Sequence, residues 1–252
     1  MRKIQLYYSF VLLSIIMSCQ KDKLSVYSAG SGLTFAETTD ITTDSLNYTF
    51  ALNIVPKEKD TVYIPLMLTG WPSEQEREFK LDIDPISTAK QGIHFDFTKM
   101  SFPAKAVTFL YPIVVYKTEN MNKEIFQLKL KVADNGIFQT GASGNYVKVT
   151  ANEFPKGARS HSSFKLNITS IVSKPGNWTS DVTYYFGAYS SERLLFMIQV
   201  LGINDFRTVP YGGKYIYADI INMYQKLNIA LDAYEAEYGF RKVDENGQEI
   251  SF

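Results

Sequence analysis

A single cysteine, two histidines and no surplus of either charge are the scarcities of this 252-residue sequence. One cysteine cannot close an internal disulfide. His94 and His161 stand far apart and outside any H-E-x-x-H pattern, so the clustered imidazoles of a zinc centre are missing. Lysine plus arginine (26) equals aspartate plus glutamate (26), which leaves no long-range field to draw the chain toward nucleic acid. No run approaches the ~20 apolar residues that a membrane-crossing helix requires, and a permanent transmembrane helix is not expected. Gly212-Gly213-Lys214 lacks the spacing and trailing hydroxyl of a phosphate loop. Gly141-Ala142-Ser143-Gly144-Asn145 lacks the final glycine of a nucleophile elbow and reads as a turn. There is no internal repeat and no low-complexity tract.

What is present begins with an address. Met1-Arg2-Lys3 is a positive start, followed by an apolar run from Ile4 to Met17 broken by Gln5, Ser9 and Ser14, the pattern of a secretory leader. Cys19 follows at once, with Ile16 three residues before it and Ser18 just before it, as a lipoprotein cleavage site requires. The expected product is cut after residue 18 and carries fatty acyl chains on Cys19. Two or more chains hold a protein stably at a bilayer, each buried methylene contributing about 0.8 kcal/mol. Gln20-Lys21-Asp22-Lys23 is compatible with sorting to the cell surface or with a plain solvated tether, and Tyr27–Gly32 is small and glycine-rich. The expected location is the outer membrane, lipid-anchored at the cell surface, with the periplasmic face as the alternative.

Hydrophobic residues make up 45% of the chain and aromatics 14%, ample for a sizeable core. From Leu33 to about Ile171 the apolar residues alternate in short runs bounded by turn residues, as strands with one buried face do. Leu46 to Ile54, Val62 to Leu68, Phe79 to Ile83, Val107 to Tyr116, Ile125 to Val132 and Phe164 to Ile171 all follow this pattern, enough for a sandwich. Pro65 and Pro112 inside two of them argue for edge or broken strands. Gly70 to Glu76 reads as a hairpin connection and Asp134-Asn135-Gly136 as a turn. Beyond Pro175 the period changes to 3.6, predicting helices over Ser190–Leu201 and Asp219–Tyr238, the second capped by Asp219 and stopped by Gly239. The tail from Asp244 reads as a turn into a short strand. The expectation is a mainly β fold: leader 1–18, lipidated tether 19–32, β-sandwich 33–172, and a smaller α/β region 173–252 with about two helices.

Ser87 to Phe97 (STAKQGIHFDF), Phe102 to Ala106 (FPAKA), Trp178, Tyr185 to Ser190 (YFGAYS) and the ending Asp244 to Phe252 together resemble an uncharacterised family of Bacteroidota surface lipoproteins. That family, a domain of unknown function, accompanies outer-membrane nutrient uptake of the starch-utilisation (Sus) type. The resemblance implies an accessory of a glycan or peptide import system and supplies no catalytic or binding residues. The front half is also similar to an immunoglobulin-like, calcium-exchanger-type (Calx-beta) sandwich, which raises the question of calcium. Calcium takes six to eight oxygens, whereas Asp84, Asp96, Glu119, Glu124 and Asp134 are scattered singly, so no metal or other cofactor is expected.

The aromatics are the better guide to a surface. Flat rings stack on sugar faces or peptide side chains while a polar edge hydrogen-bonds. Trp71, between Gly70 and Pro72, is the leading ligand-contact candidate, followed by Tyr184, Tyr185 and Tyr211, whereas Trp178, ahead of a stretch rich in aromatics that reads as a strand, reads as a core anchor. Asp44-Ser45-Leu46 and Asp60-Thr61-Val62 resemble the O-glycosylation acceptor of exported proteins in this bacterial group, on Ser45 and Thr61. No catalytic constellation is recognisable. The reading is a lipid-anchored binding or scaffolding protein whose partners are the membrane, uptake proteins and a glycan or peptide, not nucleic acid. The alternatives are a surface hydrolase, which needs two carboxylates or a metal cluster converging in a cleft, and a structural adhesin or assembly lipoprotein.

Overall fold

The computed structural model describes residues 30–38, 41, 43–141, 144–145, 159–175, 178, 180–204, 206 and 215–252. The expected leader, Cys19, most of the expected tether and Tyr211 lie outside them.

The front of the fold is built from β1 (Gly32–Ala36), β2 (Ser45–Thr49), β3 (Lys59–Thr69), β4 (Arg77–Glu78), β5 (Lys80–Ile83), β6 (Phe95–Phe97), β7 (Ser101–Phe102), β8 (Thr108–Tyr116), β9 (Phe126–Ala133), β10 (Gln139–Thr140), β11 (Gly144–Asn145), β12 (Arg159–His161) and β13 (Ser163–Thr169). One sheet has the order β11-β12-β1-β3-β8-β6, with β10 joining β1 in parallel. The other has the order β2-β13-β9-β5, and β4 pairs with β7. Alternation decides the inner face. Val62, Ile64, Leu66 and Leu68 of β3 and Tyr111, Ile113 and Val115 of β8 are buried against Leu128, Leu130 and Val132 of β9 and Phe164, Leu166 and Ile168 of β13. The rings of Phe35 and Phe164, 5.6 Å apart, bridge the two sheets. Each such side chain contributes about 1.5–3 kcal/mol by leaving water, so the mainly β sandwich follows from the period-two pattern.

Among the described residues three helices follow: α1 (Ser180–Phe186), α2 (Ser191–Leu201) and α3 (Tyr217–Tyr238). They bury a second core of Trp178, Val182, Phe186, Leu194, Met197, Ile198, Phe206, Ile220, Leu227, Leu231 and Ile250. Ser190 caps α2 by accepting the Arg193 amide, and Gly202 and Gly239 end α2 and α3 in the left-handed conformation. Asn204 Nδ2 donates to the Leu52 carbonyl at 2.9 Å, and Leu52 packs on the second core.

Several expectations are corrected. Tyr184 and Tyr185 sit on a helix that the aromatic, β-branched stretch after Trp178 reads as a strand. Val182 and Phe186, four residues apart, turn one face into the second core, so packing overrides propensity. The strand expected over Leu46–Ile54 stops at Thr49, whose hydroxyl accepts the Ala51 amide and starts a 3-10 turn over Phe50–Leu52, leaving Ile54 exposed. The Gly70–Glu76 connection does not make a hairpin, because β4 pairs with β7 rather than with β3. Asp219 lies within α3 and accepts the Ile216 amide at 3.0 Å instead of standing at its cap. Phe196 and Met197 share the buried side of α2 with Leu194 and Ile198.

The prolines are the most informative correction. β3 and β8 are interior strands, paired with each other from Lys59↔Tyr116 to Met67↔Thr108. Pro65 lies one residue beyond the last β1–β3 rung, Phe35↔Leu66, and Pro112 one residue beyond the last β6–β8 rung, Phe97↔Ile113. Each proline therefore occupies a local edge within an interior strand, where a flanking strand ends and the missing N–H is tolerated.

Candidate functional site

At one end of the sandwich β3 begins and β8 finishes, clasped by the Lys117 amide on the Glu58 carbonyl at 2.8 Å. The chain then makes a 3-10 turn over Glu119–Asn122, and Met121, fully buried, plugs it into the core. The Met121 carbonyl accepts both the Ser170 amide (2.7 Å) and the Thr169 hydroxyl (3.0 Å), so the end of β13 is tied to the end of β8. On the other flank Thr49 Oγ1 donates to the Ile171 carbonyl at 3.0 Å, which draws in the Phe50–Leu52 turn.

These three segments enclose a cleft of about 640 Å³ lined by Phe50, Ala51, Glu58, Lys117, Thr118, Glu119, Asn122 and Ser170, within the size range of small-ligand sites. A second hollow of about 460 Å³ adjoins it, sharing Thr118 and Glu119 and reaching Lys90, Ile93, His94, Glu124 and Phe126. Thr118 Oγ1 and Ser170 Oγ are buried, and among the described residues neither has a hydrogen-bond partner. A buried polar atom without a partner costs about 1–3 kcal/mol. Both belong to residues that line this one cleft, just beneath its surface, where a small shift of the lining brings them within reach of a ligand.

The walls are braced. Tyr48 donates to Asp60 Oδ2 at 2.8 Å and accepts from Asn53 Nδ2 at 3.0 Å, while Lys57 reaches the same carboxylate at 3.0 Å. Burial, aided by Asp60 and opposed by the Asn53 amide, pushes the Tyr48 hydroxyl well above its ordinary pKa, so it remains a donor. In the second hollow His94, only 6% exposed, stacks on Phe126 with centroids 3.9 Å apart. Its Nδ1 accepts the Lys90 amide at 2.9 Å. Burial first, and then the Lys90 ammonium, hold its pKa below the ordinary imidazole value, which keeps it neutral and structural.

Residues 27–150 match DUF4843, a domain of unknown function. The DUF4843 stretch contains nearly all of the cleft lining. It stops before β12 and β13, although β13 stands between β2 and β9 and supplies Ser170 through the residue that follows it. No curated protein matches the chain.

The aromatic candidates do not meet at this site. Trp71 is 75% exposed, at the opposite end of β3, and belongs to neither hollow. Tyr184 is 82% exposed on α1, and Tyr185 stands edge-on to it at 5.0 Å while packing on the second core. Trp178 is buried among Tyr189 and Phe206. Thr61 is exposed on β3, and Ser45, half-buried on β2, bonds Thr43 Oγ1 at 3.1 Å. His94 and His161 lie toward opposite edges of one sheet, and among the described residues no three His, Cys, Asp or Glu side chains gather into a metal-binding group. The scattered acids have separate positions. Asp84 pairs with Lys131 at 3.1 Å and Lys129 at 3.5 Å, Asp96 accepts from Tyr116, and Asp134 accepts the Gly136 amide. Glu119 and Glu124 both line the second hollow. Thr118 and Ser170 escaped the sequence reading because a lone hydroxyl residue just past a strand carries no motif.

Proposed function

We propose that this chain is a lipid-anchored envelope protein, held by acyl chains on Cys19, that binds a peptide or glycan as an accessory to an outer-membrane uptake system. The observation that carries the binding part is the pair of adjoining hollows, the first lined by Thr118 and Ser170, whose buried hydroxyls have no hydrogen-bond partner among the described residues. The lining favours a peptide over a sugar. It offers ammonium groups (Lys90, Lys117), carboxylates (Glu58, Glu119, Glu124), amides (Asn120, Asn122) and the exposed aliphatic Ile93. Its rings are withdrawn: Phe50 is buried and His94 stacks on Phe126, so a flat aromatic face for stacking on a pyranose is missing from the lining. The Bacteroidota and Sus-type setting rests on the sequence resemblance. The test is binding of the acylated chain to arrayed short peptides and oligosaccharides, with Thr118→Val/Ser170→Ala as control. Peptide retention that the double variant loses supports the reading, and retention unaffected by the double variant removes the cleft from it.

A further inference from the structure

We propose that the Trp71 end of the sandwich faces the bilayer and that Trp71 seats its indole in the lipid headgroup region, while the cleft opens away from the membrane. This rests on the reading of Cys19 as the acylated residue. Between Cys19 and Ser31 there are eleven residues, and even fully extended they span only about 40 Å. The end of the sandwich at which Ser31 enters is therefore the end that the tether attaches, within about 40 Å of the anchor.

The ladder shows which end that is. Gly32 pairs with Thr69 and Leu33 with Leu68, so Ser31 arrives where β3 terminates. The Ser31 carbonyl accepts the Gln139 amide at 3.1 Å, and its hydroxyl accepts Arg77 Nη1 at 2.7 Å. At Gly70, with φ of 113°, the chain leaves the strand and presents Trp71, 75% exposed, two residues beyond the Thr69 rung. Two other exposed aliphatics belong to this end. Val107, 41% exposed, has its carbonyl bonded to the Leu68 amide at 2.7 Å, and Ile137, 47% exposed, precedes Phe138 and Gln139.

The loop is built to hold the indole in place. The Lys105 amide donates to the Ser73 carbonyl at 2.7 Å, Ser73 Oγ accepts the Gln75 amide at 3.0 Å, and Pro72 restricts the backbone beside the ring. Its charges are paired, Glu74 with Lys105 at 3.0 Å and Glu76 with Lys99 at 2.9 Å, so no net charge opposes approach to a bilayer. An indole combines an apolar body with one N–H donor, the combination that concentrates tryptophan at the membrane–water interface. The eleven residues of β3, at about 3.3 Å each, set the cleft some 36 Å farther out, where a soluble ligand has access. Trp71 thus acts on lipid rather than on the ligand.

The experiment uses the full acylated chain in phosphatidylcholine vesicles, with and without lipid brominated near the headgroup end of its acyl chains. Flotation reads the anchor, and tryptophan emission reads the orientation. The expected result is co-flotation, a loss of emission with brominated lipid, and no such loss in Trp71→Phe, where only Trp178 emits. Co-flotation with emission unaffected by bromine overturns the orientation, including the case in which a second copy or another protein covers Trp71. Failure to co-float overturns the Cys19 reading and the orientation with it.

Discussion

The guanidinium of Arg193 occupies the space in which a side chain on Gly187 would stand. Its Nη1 donates to the Phe186 carbonyl at 2.7 Å and to the Ser251 carbonyl at 2.6 Å, and the guanidinium carbon lies 5.4 Å from the Phe252 ring centre. One arginine on α2 thereby joins the end of α1 to the C-terminal tail across a glycine with φ of 88°. A Cβ there would meet both Nη1 and Cζ of Arg193.

Gly187→Ala is accordingly expected to lower the unfolding free energy by about 2 kcal/mol or more, combining a left-handed backbone with displacement of the arginine. Urea denaturation followed by circular dichroism measures it. A loss under about 0.5 kcal/mol, the range of ordinary surface substitutions, would mean that Arg193 swings away freely.

Thr118→Val and Ser170→Ala should move stability and binding in opposite directions. Each removes a hydroxyl that is buried without a partner, so each is expected to leave the melting temperature unchanged or raise it, by about 0.5–1.5 kcal/mol of stability. Peptide retention should fall. A marked drop in stability would show that these hydroxyls serve the fold.

His94 gives an acid dependence whose sign is set by burial. Its folded pKa lies below the ordinary ~6.5, so between the two values the unfolded chain binds a proton that the native chain refuses. Stability is full above about pH 6.5 and declines as pH falls from there to the folded pKa. Urea midpoints compared at pH 7.5 and pH 5 should differ less in His94→Asn, whose side-chain oxygen can still accept the Lys90 amide. An equal difference in both chains would assign the acid loss to other groups.

Cys19→Ala should leave the precursor without acyl chains, releasing the protein or stalling its processing. Membrane fractionation and the intact mass of the product measure this. Unchanged membrane association would detach localisation from that sulfur.

Much of the sandwich was legible because burial on one face of a strand imprints a period of two. β3, β8, β9 and β13 each lie close to where alternation puts them, and Gly202 and Gly239 close α2 and α3 where glycine is needed. The α1 segment was not legible: its residues favour a strand, and only the second core, by burying Val182 and Phe186 together, makes it a helix. The prolines show the same limit. Sequence reports that Pro65 and Pro112 lack a donor, but whether that marks an edge strand or the end of a neighbouring strand's ladder depends on the lengths of β1 and β6.

By itself the sequence determined the alternation that makes a sandwich, the period that makes α2 and α3, and the position of the lone cysteine just after a basic start and an apolar run, since each is a property of neighbouring residues. Tertiary structure alone decided that Thr118 and Ser170 share a cleft and that Trp71 stands at the other end beside the chain's entry. Those relationships join residues far apart along the chain, and they are settled by strand order and by which carbonyl accepts which amide.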